Sequence, residues 1–440
     1  MIRIFSLAFF IIIVLCSKAQ ETVFKFDFGN GTAAKGYTKI TPTTTYSDAT
    51  GYGFEFNSKP MAVGNSEKLK PESDFITSQK PFYFSVKLPE GNYIVKVLLG
   101  DANGTSKTTI KAENRRLMVV EEITISGKFK FKEFIVHIRD SIIRGERISN
   151  VKLKPREHDY LHWDNKLTLE FNNTNPKVAG IVITEAKNIP TIFLAGNSTV
   201  VDQANEPWAA WGQMFPAFLQ GVAVANYAES GETLKSFKGA RRLEKIWSMA
   251  KPGDYLLIEF AHNDQKPGGN HLDAFTTYKK TLKEWIAEAR KRKITPVLVT
   301  SMHRRRFDEN GKIINTLEGY PEAVRQTGKE ENVTVLDLNS MSKTMYEVWG
   351  PDKSIKAFVH FPANTFPDQK EALADNTHFS NYGAYELAKC IVQAIKDSDL
   401  PLKKCISKGF KGFNPAMPDD VEDFKLPASS FIGSAKPDGN

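Results

Sequence analysis

The chain has 440 residues, 41% hydrophobic and 25% charged, ordinary proportions for globular protein and long enough for two domains with full cores. Its net charge of +8 suits an acidic polymer, or solubility alone, and gives little support to a nucleic-acid binder. No Cys/His cluster has zinc-ligand spacing and no Gly-rich loop is built for phosphate, so neither a metal nor a cofactor is expected.

Residues 1–19 read as a secretory signal: Arg3 opens it, Phe5 to Leu15 is the apolar core, and Ser17-Lys18-Ala19 is a small-x-small cleavage site. The run is too short to span a bilayer comfortably, so stable membrane insertion is not expected. A lipoprotein anchored through Cys16 competes with this reading, although Leu15 fits it poorly. Export to the periplasm or outside follows either way, and an exported chain could join Cys390 to Cys405.

Residues 20–187 alternate apolar and polar positions in short runs: Phe24 to Phe28, Phe82 to Leu88, Tyr93 to Leu99, Phe129 to Ile138, Leu167 to Phe171 and Gly180 to Thr184. This predicts an all-β sandwich, with 82–88 and 93–99 pairing as a hairpin across Pro89-Glu90-Gly91-Asn92. Aromatics such as Tyr37, Tyr46, Tyr52 and Trp163 could stack on sugars, or the domain could be purely supportive.

Beyond Lys187–Pro190 the pattern changes. Apolar strands at 192–195, 222–226, 255–260, 296–300 and 333–336 alternate with helix candidates at 208–219, 274–292, 318–329 and 382–396. Such alternation implies a parallel sheet covered on both faces, an α/β domain over 190–400. The tail, 401–440, is rich in Pro, Gly and Lys and could wrap back over that domain.

Three loops at strand ends carry the chemistry. Ser198 follows the first strand, where an α/β sheet keeps its functional groups. Asp375-Asn376-Thr377-His378 supplies the rest of a nucleophilic set near the last helix: His378 as base and Asp375 to fix its tautomer. An oxyanion would find donors in the Ser198 N–H, in Gly231 after the second strand and in the Asn263 amide after the third.

These four blocks, in this order, resemble the SGNH (GDSL-like) hydrolase superfamily, with Ser198, Gly231, Asn263 and His378 at the naming positions. The strings Ala-Gly-Asn-Ser-Thr-Val, Ile-Glu-Phe-Ala-His-Asn-Asp and Asp-Asn-Thr-His-Phe-Ser are similar to those of the rhamnogalacturonan acetylesterase family. The resemblance implies a three-layer α/β/α fold and metal-free hydrolysis of acetyl esters on acetylated pectic polysaccharide. Acetylated xylan, or glycan binding without catalysis, are the competing functions. The β-sandwich resembles the galactose-binding-like modules found beside such esterases.

Two residues depart from the pattern. Asn197 stands where the superfamily has Asp, and Ala261 replaces the Gly that usually opens the third block. The added methyl group matters if that position needs a special backbone angle. Arg304 and Arg305, after the fourth strand, could hold galacturonate carboxylates or be a paired or solvated cluster, and His262 could line the cleft.

Overall fold

Alternating hydrophobicity folds the N-terminal half of this computed structural model, which describes residues 23–64 and 70–438, into two facing sheets. The signal and Cys16 lie outside the described residues. One sheet runs in the order Lys128–Ile138, Gly91–Asp101, Lys177–Glu185, Val23–Phe28, Thr38–Ile40, and the other in the order Tyr52–Glu55, Phe82–Lys87, Lys166–Asn172, Ser106–Ala112, Arg116–Thr124. Every second residue points inward, so that Phe26 and Phe28 of one sheet meet Phe84 of the other at ring separations of 5.2 and 5.0 Å.

The expected hairpin between 82–88 and 93–99 does not form. Phe82–Lys87 pairs with Tyr52–Glu55 and Lys166–Asn172, whereas Gly91–Asp101 pairs with Lys128–Ile138 and Lys177–Glu185 in the opposite sheet. The Leu88 N–H already bonds Asn165 O, and Pro89 has no N–H to continue a ladder, so the chain crosses over there. Both strands present apolar residues to the same core, and for that reason their patterns look like a pair.

The second half is a five-stranded parallel sheet in the order Ala223–Asn226, Thr191–Gly196, Tyr255–Glu259, Thr295–Val299, Val335–Leu336. Ile192 and Leu194 face the layer of Trp211–Met214, Leu338–Lys353 and Asn381–Asp397. Phe193 and Ala195 face that of Leu234–Gly239, Arg242–Met249, Lys279–Lys291 and Tyr320–Glu331. Continuous burial along Thr191–Gly196 is the mark of a strand covered on both sides. The chain order places the first strand between the second and third, so their loops open on one crevice at the carboxyl edge.

The predicted helix 208–219 is cut short: an α-turn at Trp211–Met214 passes into a 3-10 turn at Phe215–Phe218, where Pro216 cannot donate to an α-ladder. The helices Leu234–Gly239, Arg242–Met249 and Leu338–Lys353 were not anticipated. Cys390 is buried and Cys405 half-buried, and they are not bonded to one another. No helix of the described residues is long and apolar enough to cross a membrane.

Candidate active site

Ser198 sits in the first turn past Thr191–Gly196, set there by its neighbour. Asn197 Oδ1 accepts the Thr199 N–H at 3.1 Å and the Thr199 hydroxyl at 2.8 Å, closing an Asx-type turn. An aspartate oxygen would do the same, so the departure at 197 leaves the turn intact.

Asp375 and His378 lie on a strand, Leu373–Phe379, rather than on the loop expected before the last helix. It pairs antiparallel with Phe358–Phe361, but the register slips: Phe379 faces Phe358 while Ala374 faces His360. The residues between them bulge from the ladder, which lets two side chains three apart turn the same way. Asp375 Oδ1 caps the bulge by accepting the N–H groups of Thr377 (2.7 Å) and His378 (2.8 Å). Its Oδ2 lies 2.9 Å from His378 Nδ1, and His378 Nε2 lies 2.9 Å from Ser198 Oγ. Burial alone would raise the Asp375 carboxyl. The hydrogen bond and charge of His378, with the two N–H donors, outweigh it and hold the group well below the usual carboxylate range. The arrangement can draw a proton from Ser198 and stabilise the imidazolium that results.

Gly231 adopts φ 83°, the left-handed region that glycine enters without penalty. Neither its N–H nor that of Ser198 has a protein acceptor among the described residues. Asn263 is buried and donates through Nδ2 to Glu232 O at 3.1 Å, which ties the third-strand loop to the second. Ala261 has φ 159°, at the edge of the region L residues rarely enter, so the missing glycine is felt as backbone strain.

Residues 194–384 match the profile of the GDSL-like lipase/acylhydrolase family, and residues 24–144 that of the galactose-binding domain-like module of β-agarase/YXIM-type esterases. Rhamnogalacturonan acetylesterase RhgT of Bacillus subtilis is 45% identical over 215 residues, covering 48% of this chain and 92% of that protein. The chain belongs to the GDSL-like lipase/acylhydrolase family. It is therefore a carboxylic-ester hydrolase. The uncharacterized esterase YxiM of Bacillus subtilis is 24% identical over 388 residues, 86% of this chain and 92% of that one. The crystal structure of that protein covers 85% of this chain and 98% of its own, with a TM-score of 0.44.

In this esterase both arginines after the fourth strand already hold protein acceptors. Arg304 donates to Thr316 O and Oγ1 and to His262 O, each at 3.2 Å. Arg305 donates to Asn376 Oδ1 and Ser354 Oγ, both at 3.0 Å, and to Pro351 O. His262 is buried beside His378, and burial, then the charges of Arg304 and His378, push its imidazole well below the usual range, so the ring is neutral. Trp163 is no sugar platform: it is buried, its ring faces the Arg139 guanidinium at 4.2 Å, and its N–H meets Glu157 Oε1 at 3.2 Å.

Several supporting residues carried no sequence signal. Glu259, at the end of the third strand, accepts from Trp211 Nε1 (2.7 Å), Ser301 Oγ (2.9 Å) and Thr199 Oγ1 (3.2 Å), and burial raises it to about 7. Gln203 Nε2 donates to Ser198 O at 3.0 Å. The sandwich turn Glu113–Arg116 plugs into the loop after Ser198. Arg116 grips Asp202 Oδ2 through Nε (2.9 Å) and Nη2 (2.8 Å), while Arg115 donates to Gln203 O and Trp208 O and pairs with Glu206 at 2.6 Å. Asp202 Oδ1 in turn accepts Asn226 Nδ2 at 2.7 Å. These partners lie about ninety residues away in the chain, and nothing local announces them.

Proposed function

We propose that this esterase removes acetyl groups from pectic rhamnogalacturonan by an acyl-enzyme route, and that residues 1–19 export it. The observation that carries the proposal is the relay Ser198 Oγ–His378 Nε2 and His378 Nδ1–Asp375 Oδ2, both 2.9 Å, in a chain 45% identical to a rhamnogalacturonan acetylesterase. Ser198 Oγ attacks the acetyl carbonyl as His378 takes its proton. The oxyanion is held by the N–H groups of Ser198 and Gly231 and the Asn263 amide. The tetrahedral intermediate breaks its bond to the sugar oxygen, which receives the proton from His378. Water, deprotonated by the same imidazole, then releases acetate.

The test is acetate release from acetylated rhamnogalacturonan, beside acetylated xylan, with Ser198→Ala as control. Release from the pectic polymer alone, lost in the variant, is the expected result. Equal release from both reduces the substrate to acetylated polysaccharide in general. Release that survives in Ser198→Ala overturns the route. Export is tested by fractionating the producing cells, where retention of residues 1–19 on a cytosolic product overturns it.

A further inference from the structure

The tail does not end at the catalytic domain. Residues 427–438 form a strap along the seam between the two halves, and its two parts are held in different ways. The first part, 427–433, is anchored. Lys111 Nζ of the sandwich donates to Pro427 O at 2.7 Å, the Ser429 N–H meets Glu206 Oε1 at 3.0 Å, and Phe431 packs on Tyr83 and Phe56 with ring centres 5.1 and 5.3 Å apart. The Gly433 N–H donates to Glu206 O at 2.9 Å, and Trp208 Nε1 donates to Gly433 O at 3.0 Å. Beyond Gly433 this anchoring stops. No backbone hydrogen bond among the described residues holds 434–438. Two ion pairs tie it down instead: Lys436 Nζ lies 3.4 Å from Asp375 Oδ2, and Asp438 Oδ2 accepts Arg156 Nη1 at 2.5 Å. The lysine and the aspartate are each about half exposed, so both pairs are weak and screened by salt.

These two ties land on either side of the nucleophile. Asp375 orients His378, and Asp438 stands over Gly231, where a Cβ added to the glycine would come 3.0 Å from the Asp438 Cβ. Trp208, held by Gly433, stands edge-on to the His378 ring with centres 5.8 Å apart. An ester carbonyl must come within about 3.5 Å of Ser198 Oγ to react. With the strap in place Ser198 is 2% exposed, His378 1% and Asn263 5%, which leaves it little room. A cavity of about 390 Å³ has Lys436, Pro437 and Asp438 in its wall, but its lining includes none of Ser198, Gly231, Asn263 and His378. The strap also acts on the chemistry. Asp375 Oδ2 carries His378 Nδ1 at 2.9 Å and Lys436 at once, so a fixed cation shares the carboxylate that must stabilise the imidazolium.

We infer that residues 434–438 are a gate over the active site, hinged after Gly433 and latched by Lys436 on Asp375 and by Asp438 on Arg156, and that substrate enters when the latch parts. Opening gives up two exposed ion pairs and leaves 427–433 in place. The inference rests on the Ser198–His378–Asp375 route proposed above and is independent of the pectic substrate.

The experiment measures the second-order rate at which a small fluorophosphonate labels Ser198: Oγ bonds phosphorus, fluoride leaves and His378 takes the hydroxyl proton. Only the open fraction reacts, so the rate follows the opening equilibrium. Lys436→Gln and Asp438→Asn each raise it about threefold, the size of one exposed ion pair, and the double variant about tenfold. Asp438→Asn leaves Asp375 and its contacts alone, so its gain reports the gate and not a more basic His378. Raising salt from about 20 mM to about 0.5 M speeds wild type about threefold and leaves the double variant unchanged, since its latch has no charge to screen. Lys408→Gln, an exposed tail lysine outside the strap, is the charge control and matches wild type. A double variant within twofold of wild type, or slower, overturns the gate and leaves the acyl-enzyme route standing. Absence of labelling in wild type and double variant alike overturns both.

Discussion

The cleft has two walls made in opposite ways. The wall from the catalytic domain is built of short contiguous strings: Ser198, Gly231 and Asn263 lie on loops that leave strands of the parallel sheet, and His378 lies on the antiparallel strand Leu373–Phe379. The wall from the sandwich and strap is built of single residues, Arg115, Arg116, Arg156 and Lys436, each useful only because a distant segment meets it. Chemistry that needs several atoms in fixed relation is encoded locally. Shape around it is assembled from wherever the chain passes.

The sharpest way to separate the walls is to remove chemistry without structure. Ser198→Ala should lower kcat roughly 10⁴-fold or more and abolish labelling by a serine-directed fluorophosphonate, with the thermal midpoint unchanged. Asp375→Asn should cost roughly 10³–10⁴-fold in kcat, since it spoils the imidazole tautomer. The amide oxygen still accepts the Thr377 and His378 N–H groups, so the bulge cap survives and the midpoint should stay close to that of Ser198→Ala.

The second wall should fail in the reverse order. Arg116→Met leaves Asp202 charged, buried and unpaired, and should cost about 3–5 kcal/mol in urea unfolding. A midpoint within error of wild type would mean that the sandwich merely rests on the catalytic domain.

A smaller effect probes the third-strand loop. Burial raises Asp264 to about 7 from an ordinary 3.8, so the folded state keeps the proton longer than the unfolded chain. Its favourable contribution is therefore present below about pH 4 and lost as pH rises towards 7. Asp264→Asn keeps an acceptor for the Leu234 N–H and cannot ionise, so at pH 8 it should exceed wild type by roughly 2–4 kcal/mol, with no gain at pH 4. A gain equal at both pH values would show that titration of Asp264 is not its source. Smallest of all, Ala261→Gly should relieve the strained φ, for a net gain of about 1 kcal/mol after the extra chain entropy of glycine. A loss on thermal melting would show the methyl group is packed rather than strained.

The two periodicities were plain in the sequence because each half buries its faces as such patterns dictate. The five parallel strands formed within about one residue of their expected bounds, except at Val335–Leu336, which keeps only the end of its run. The strand partners in the sandwich were not legible, since 82–88 and 93–99 show the same alternation whether they share a sheet or face each other across a core. Asp375 and His378 were found by residue type, but their place on a bulged strand was not, because the bulge is made by Asp375 capping its own backbone. Its position at the sheet edge leaves Arg304 open between a carboxylate contact and a paired cluster, because position says nothing of which carbonyls wait nearby. Ala261 stands out only against the family resemblance, which implies glycine there, and its unusual φ fits that concern.

Residues 427–438 leave the ribosome after every segment they touch. The strap can settle only when the seam between the halves already exists, so the cleft is the last part of the esterase to be assembled. Any nascent chain still lacking those residues would carry Ser198, His378 and Asp375 without the wall that Lys436 and Asp438 complete.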